Sequence, residues 1–270
     1  MTRTTLGLLA ADAIVWLVSA VPVGLAGALV AAWTGADQWT SVAVALAAWT
    51  LSAGLAFLRP VELRLARLLF GAREPTPQER ARLEPVWRRV CAAAGEDLGD
   101  YELRVEDREE VNATAGGARI LAVTTLALSL PDDELAALLA HELGHHLDEH
   151  PVAALLGWWF ALPSLVFDVV LRAFGWFVLL FVLARIAMLI PLVLARLASA
   201  VLSRSAEFAA DRHAARLGFG PALIAVFERL VATGHDERRP GDPGPGRAWA
   251  THPPLPERIA RLRALGAGAP

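Results

Sequence analysis

The stretch PDDELAALLAHELGHHLDEHP, residues 131–151, decides how the rest of the chain is read. Pro131 opens it, and Asp132, Asp133 and Glu134 follow where a helix N-terminus favours negative charge. Pro151 closes it, so the spacing predicts one helix. Within this helix His141, Glu142 and His145 form H-E-x-x-H. Positions four apart share a helical face, so both imidazoles can reach one tetrahedral ion. Glu142, beside them, is poorly placed to ligate but well placed to take a proton from an attacking water. With seven histidines in 270 residues the pattern can also arise by chance, so the reading turns on what else the chain supplies.

A catalytic zinc needs a third protein ligand and one open position. Glu207 is the candidate, in the stretch SRSAEFAAD, residues 203–211. Asp211 lies one turn further along the same helical face, where it can accept a hydrogen bond from a ligand histidine. On spacing alone the same residues describe a solvated acidic helix. His146, Asp148, Glu149 and His150 extend the first motif into an acid and histidine cluster that suggests a second metal, although a solvated helix end accounts for it more simply.

Composition narrows the class. The hydrophobic fraction of 55% and mean hydropathy of +0.44 exceed what a soluble core requires, which points to a membrane. A net charge of −3 gives no concentrated basic surface, so nucleic acid is not an expected partner. The single cysteine, Cys91, rules out an internal disulfide and a cysteine-only zinc cluster, leaving histidines and carboxylates as ligands. No G-x-S-x-G stretch supports a serine hydrolase.

Residues 6–33 and 42–58 are apolar and long enough to cross a bilayer, joined by a short loop at 34–38. Arginines 59, 64, 67 and 73 crowd the far end of the second span and Arg3 precedes the first, so both ends are expected in the cytoplasm. From 75 to 101 the pattern is that of an amphipathic helix with Leu83, Val86, Trp87 and Val90 on one face. Residues 101–105 alternate like a strand, 120–125 form a second β-prone run within 119–130, and Gly116-Gly117 marks a turn between them. Residues 152–203 are again apolar, with Pro163 and Pro191 as breakers. They fit two helices at 152–171 and 173–195, turning near 172–175, with Arg185 near mid-bilayer and Asp168 four residues from Arg172. Three further helices are expected at 205–217, 221–230 and 257–265, with a Pro/Gly-rich loop at 236–246. If Glu207 joins the two histidines, the chain between them crosses the membrane an even number of times.

Taken together, H-E-x-x-H, a long hydrophobic insertion and S-R-x-x-E-x-x-A-D resemble the HtpX-type membrane metallopeptidases, relatives of the CAAX prenyl endopeptidases. Asn112-Ala113 stands where that family has an Asn-Ala motif on a substrate-binding edge strand, with Thr114 in place of the usual aromatic residue. Thr251-His252-Pro253-Pro254 with Arg258 resembles the family's C-terminal T-H-P-P-x-x-x-R signature. The resemblance implies that His252 and Arg258 approach the active site. His252 would then donate to the scissile carbonyl with Arg258 in support, or would simply be a loop histidine before a Pro-Pro turn.

The expected fold is α+β and mainly helical: a zincin-like (gluzincin) catalytic domain with a small β-sheet and four transmembrane helices. The expected organisation is an N-terminal transmembrane hairpin at 1–60, the first catalytic part at 61–150, a second hydrophobic hairpin at 151–203 and the second catalytic part at 204–270. One Zn2+ would be held by His141, His145 and Glu207, with Asp211 behind them, Glu142 as proton shuttle and Asn112 and Ala113 binding substrate. The expected partners are the lipid bilayer and protein or peptide substrates, membrane proteins among them. The resemblance implies quality-control proteolysis, with prenylated-peptide cleavage as the variant. The rival reading is a catalytically silent membrane scaffold, which would not require an intact set of ligands and base.

Overall fold

The structure, a computed structural model, describes residues 3–174, 179–234 and 253–267. It opens with two helices, α1 (Arg3–Thr34) and α2 (Gln38–Ser52), the second prolonged by a 3-10 turn at Ala53–Phe57. Asp37 caps α2 by accepting the Thr40 N–H at 2.7 Å. Trp33 and Trp39, 88% and 78% exposed, flank the connecting loop, as amphipathic rings do at a membrane interface.

α3 (Arg59–Phe70) follows, then α4 (Pro77–Ala94). The start of α4 is a capping box in which Thr76 and Glu79 satisfy each other's backbone N–H groups, and Gly95, at φ +74°, ends it in the left-handed conformation. Leu83, Val86, Trp87 and Val90 are all buried, on the face that the periodicity assigned. A three-stranded sheet comes next: β1 (Glu102–Glu106), β2 (Ala113–Gly116) and β3 (Ile120–Thr124), in the order β1-β3-β2. β1 runs parallel to β3 and β2 antiparallel to it, which makes β2 an edge strand.

α5 (Asp132–Leu147) is the spine of the core. Leu135, Leu139 and Leu143 are fully buried beside Trp87, Leu121 and Leu223. Its acidic first turn is held by Arg82 to Asp132, Arg89 to Asp133 and Arg229 to Glu134, which ties α4 and α8 (Gly220–Ala232) to it. α9 (Leu255–Ala267) packs on α8 and on the end of α7.

α6 (His150–Phe174) and α7 (Leu179–Arg216) complete the apolar set. Four helices are long and apolar enough to cross a membrane, over Thr4–Thr34, Gln38–Phe57, His150–Ala173 and Ile186–Arg216. α1 is the hub of this set, packing on α2, α6 and α7. Polar side chains join the helices where no water is available: Ser19 meets Ser164 at 2.7 Å, Trp16 donates to Thr50 at 2.9 Å and Trp159 donates to Ser52 at 3.1 Å. Asp168 and Arg172 pair on α6, as their spacing suggested.

The structure corrects three expectations. α5 stops at Leu147, and Pro151 begins α6 instead of closing α5, because its missing N–H and fixed φ suit a first helical turn. Pro163 and Pro191 lie inside α6 and α7 without ending them, as neighbouring membrane helices can support the freed backbone. The separate helix expected at 205–217 is the last part of α7, which is continuous from the apolar segment through Glu207 and Asp211. The Arg185 side chain and the loop at 236–246 lie outside the described residues.

Candidate metal centre

Four elements bring charged side chains together in the interior. α5 presents His141, Glu142 and His145, and α7 presents Glu207 and Asp211. α9 contributes Arg258, and α6 begins with His150. The approach of α7 to α5 depends on Gly144, one of the two unspecified positions of H-E-x-x-H. A Cβ there would lie 3.0 Å from Ala210 Cα and 3.2 Å from His213 Cβ, closer than ordinary carbon contact. Only hydrogen at that point lets α7 lie near enough for Glu207 to meet the histidines.

His141 Nε2 is 3.4 Å from Glu207 Oε2, and His145 Nε2 is 3.5 Å from Glu207 Oε1. One ligand atom from each of the three residues lies within 4.8 Å of the others. A tetrahedron with zinc bond lengths of about 2.0–2.2 Å has edges of roughly 3.3–3.6 Å, and each histidine lies at such a distance from one of the two Glu207 oxygens. Charge agrees with geometry. Glu142, Glu207 and Asp211 are 7%, 4% and 3% exposed, and the buried guanidinium beside them is that of Arg258, at 5%. Three carboxylates outnumber the one arginine in a buried volume, an excess of negative charge that favours a proton on His141 or a bound cation.

Behind these three residues, His141 Nδ1 lies 3.0 Å from Asp211 Oδ1 and donates to it, which leaves Nε2 facing Glu207. Burial opposes a charge on His141, but its bonds to Asp211 and Glu207 outweigh that and hold its pKa above the ordinary value. That proton and a metal ion compete for one lone pair. Arg258 grips Asp211 with two bonds, Nε to Oδ2 at 2.8 Å and Nη2 to Oδ1 at 2.6 Å, and reaches Glu207 Oε2 at 3.0 Å. Its other face covers the Phe227 ring at 4.2 Å.

Glu142 is oriented by the sheet. Its Oε2 accepts the Ala115 N–H at 2.8 Å, and its Oε1 faces His141 Nε2 at 3.9 Å. Thr124 N–H donates to Asn112 C=O, so by the alternation of an antiparallel ladder Ala113 and Ala115 turn their peptide groups away from β3. Asn112 and Ala113 thus stand at the start of the open edge, beside Glu142. His252 lies outside the described residues.

His146 and His150 are not the solvated helix end that the acid and histidine cluster suggested: they are 8% and 7% exposed. His146 Nε2 bonds to Ile120 C=O at 2.8 Å, locking α5 to β3, and burial pulls its pKa down to about 4. Three residues of the centre escaped the sequence reading. Ala115 was two places beyond the Asn-Ala motif on the same edge, Gly144 was visible as the small residue inside H-E-x-x-H, and His150 was set aside with the cluster.

The model of Peptidase family M48 matches residues 77–266. Protease HtpX of Xanthomonas euvesicatoria pv. vesicatoria (strain 85-10) is 33% identical over 226 residues, spanning 72% of this chain and 75% of that protein. Protease HtpX of Xanthomonas campestris pv. campestris (strain B100) is 32% identical over 223 residues, spanning 71% and 74%. Among solved structures, the crystal structure of S. mikatae Ste24p aligns with a TM-score of 0.55 at 19% identity over 89% of this chain. The chain spans 61% of the length of that protein, and the likeness is one of fold.

Proposed function

The chain belongs to peptidase family M48 as an HtpX-like member, and from that premise we propose that it is a membrane-embedded zinc endopeptidase that cleaves protein substrates at the His141, His145 and Glu207 centre. The observation that carries the reading is the convergence of those three ligands with Glu142, which an open strand edge holds beside them. The zinc ion, when bound, supplies Lewis acidity to the scissile carbonyl and to the attacking water.

The protein's own groups do the rest. A substrate strand adds to β2 through the peptide groups of Ala113 and the Ala115 C=O, the Ala115 N–H being taken by Glu142, with Asn112 at the head of the edge. Ala115 N–H fixes Glu142 Oε2, so Oε1 is the oxygen that takes the water's proton and passes it to the leaving amine. Asp211 orients His141, and Arg258 holds Asp211 and Glu207 in place, so Arg258 acts on the ligands. His252 fits the role of a donor to the scissile carbonyl on the strength of its T-H-P-P context alone.

In this reading the four domains keep the boundaries 1–60, 61–150, 151–203 and 204–270, although the last boundary falls within α7. The catalytic parts face the cytoplasm, on the side of the arginines at 59, 64, 67 and 73. α5 is joined to α6 by two residues, so the centre sits at the membrane surface, which suits substrates that are themselves damaged or misfolded membrane proteins. The test compares zinc content and cleavage of an unfolded protein by the full chain in detergent. Glu142→Gln should keep zinc and lose cleavage, and Glu207→Ala should lose most of both. Undiminished cleavage by Glu142→Gln would refute the mechanism, and the absence of both zinc and cleavage from the wild type would favour a silent scaffold.

A further inference from the structure

We infer that His150 is a positioning residue for the metal centre, accepting a hydrogen bond from His145 and so fixing that ligand's tautomer and ring plane from the first residue of membrane helix α6. The inference rests on the reading of His145 as a metal ligand, and it starts from an asymmetry between the two histidines of the motif. His141 has Asp211 on its outer nitrogen. His145 has neither a carboxylate nor a backbone carbonyl there among the described residues: its Nδ1 faces His150 Nδ1 at 3.3 Å.

The chemistry of that contact determines the protons. His145 presents Nε2 toward Glu207, so a metal takes the Nε2 lone pair and the proton of the neutral ring stays on Nδ1. His150 must then offer an unprotonated Nδ1 and carry its own proton on Nε2. A doubly protonated His150 would set two N–H groups against each other. An imidazole in this tautomer does for His145 what a carboxylate does for His141, with no added negative charge in a site already rich in carboxylates.

The local backbone is shaped for this contact. Glu149 adopts φ +58°, a left-handed conformation that side chains other than glycine rarely take, and its N–H closes on His146 C=O at 2.9 Å. That sharp step between α5 and α6 swings His150 back over the last turn of α5, where its ring packs edge-on to His145 with centroids 5.6 Å apart. His150 is 7% exposed, and its Nε2 is buried without a hydrogen-bond partner among the described residues. Apolar packing alone gives no reason to bury an imidazole at this point.

The experiment uses the full chain in detergent, with the wild type, His150→Gln and His150→Leu. Zinc affinity is read by competition with a chromogenic chelator, and the cobalt-substituted proteins are read by visible absorption. His150→Leu should bind zinc about ten- to a hundred-fold more weakly and shift the cobalt bands. His150→Gln, which keeps an acceptor, should recover most of both. Wild-type affinity and an unchanged cobalt spectrum in His150→Leu would overturn the inference and leave the metal centre standing. A wild type that binds no zinc, or a His145→Ala variant that binds it undiminished, would overturn the metal centre itself. Should His150→Leu fail to fold, nitrogen-15 spectra of histidine in the zinc-loaded wild type decide: the resonances missing from His150→Gln must show Nε2 protonated and Nδ1 bare. The opposite tautomer would refute the inference.

Discussion

Replacing Gly144 by alanine should weaken metal binding as well as the fold. The new methyl would sit 3.0 Å from Ala210 Cα, 3.2 Å from His213 Cβ and 3.3 Å from Ala210 Cβ, all on α7 and none of them the end of a flexible side chain. Carbon atoms rest at about 3.5–4.0 Å, so α7 must withdraw by a few tenths of an ångström. For stability two effects oppose each other: overpacking costs about 1–3 kcal/mol, and exchanging glycine for alanine inside a helix returns about 1 kcal/mol. The net loss is therefore at most about 2 kcal/mol. Glu207 has no such compensation. It lies three residues before Ala210 on the same helix, so its distances to His141 and His145, now 3.4 and 3.5 Å, lengthen with the shift of α7, away from the tetrahedral edge of about 3.3–3.6 Å. Zinc affinity should fall about tenfold or more, equivalent to about 1.4 kcal/mol. The assay is chelator competition on the full chain in detergent, beside a thermal-unfolding measurement on the same sample. A Gly144→Ala protein that binds zinc as tightly as the wild type would refute the argument that this missing side chain sets the distance of the third ligand.

Three other perturbations test separate parts of the account. Arg258→Ala leaves Asp211 buried without its guanidinium and should cost about 3–5 kcal/mol, seen as a large drop in unfolding temperature; a drop of only a degree or two would show that the pair is dispensable. Bonds from the Arg73 guanidinium hold Glu79 down at about 2, against 4.5 ordinarily. Between those values the unfolded chain binds more protons, so this contribution to stability is complete above pH 4.5 and is lost as pH falls toward 2. Glu79→Gln should flatten that part of an acid titration of helix content, and an unaltered curve would contradict the linkage. Cys91 is 2% exposed and burial pushes its thiol up to about 11, so it should resist alkylation until the protein unfolds. That silence lets Ala36→Cys and Glu109→Cys report topology in intact membranes. They should label from opposite faces, and labelling from one face would overturn the first hairpin.

Much of the fold was legible because its signals are local. Leu83, Val86, Trp87 and Val90 announce one buried helix face, and two apolar runs around a loop with no basic residue announce the first pair of spans. What escaped depends on partners distant in sequence. Pro151, Pro163 and Pro191 read as breakers, since in water a proline inside a helix loses a hydrogen bond that nothing replaces. Here Pro151 falls in a first turn, and the other two lie within membrane-spanning helices. The continuity of α7 matters for function, because one rigid helix carries Glu207 and Asp211 from the apolar segment to the metal centre. Within the centre, His141, Glu142 and His145 were legible from spacing, and Glu207 and Asp211 from a second motif. The contact of His150 with His145 was not, because it depends on a left-handed backbone at Glu149 that the residue type disfavours.

The central claim is that one zinc ion is held by two imidazoles of α5 and one carboxylate of α7. X-ray absorption at the zinc edge of the purified full chain tests it most directly. One zinc per chain is expected, with two imidazole nitrogens and oxygen ligands in the inner shell, and that signal should be lost in Glu207→Ala. A sulfur ligand, or an inner shell unchanged by Glu207→Ala, would contradict it.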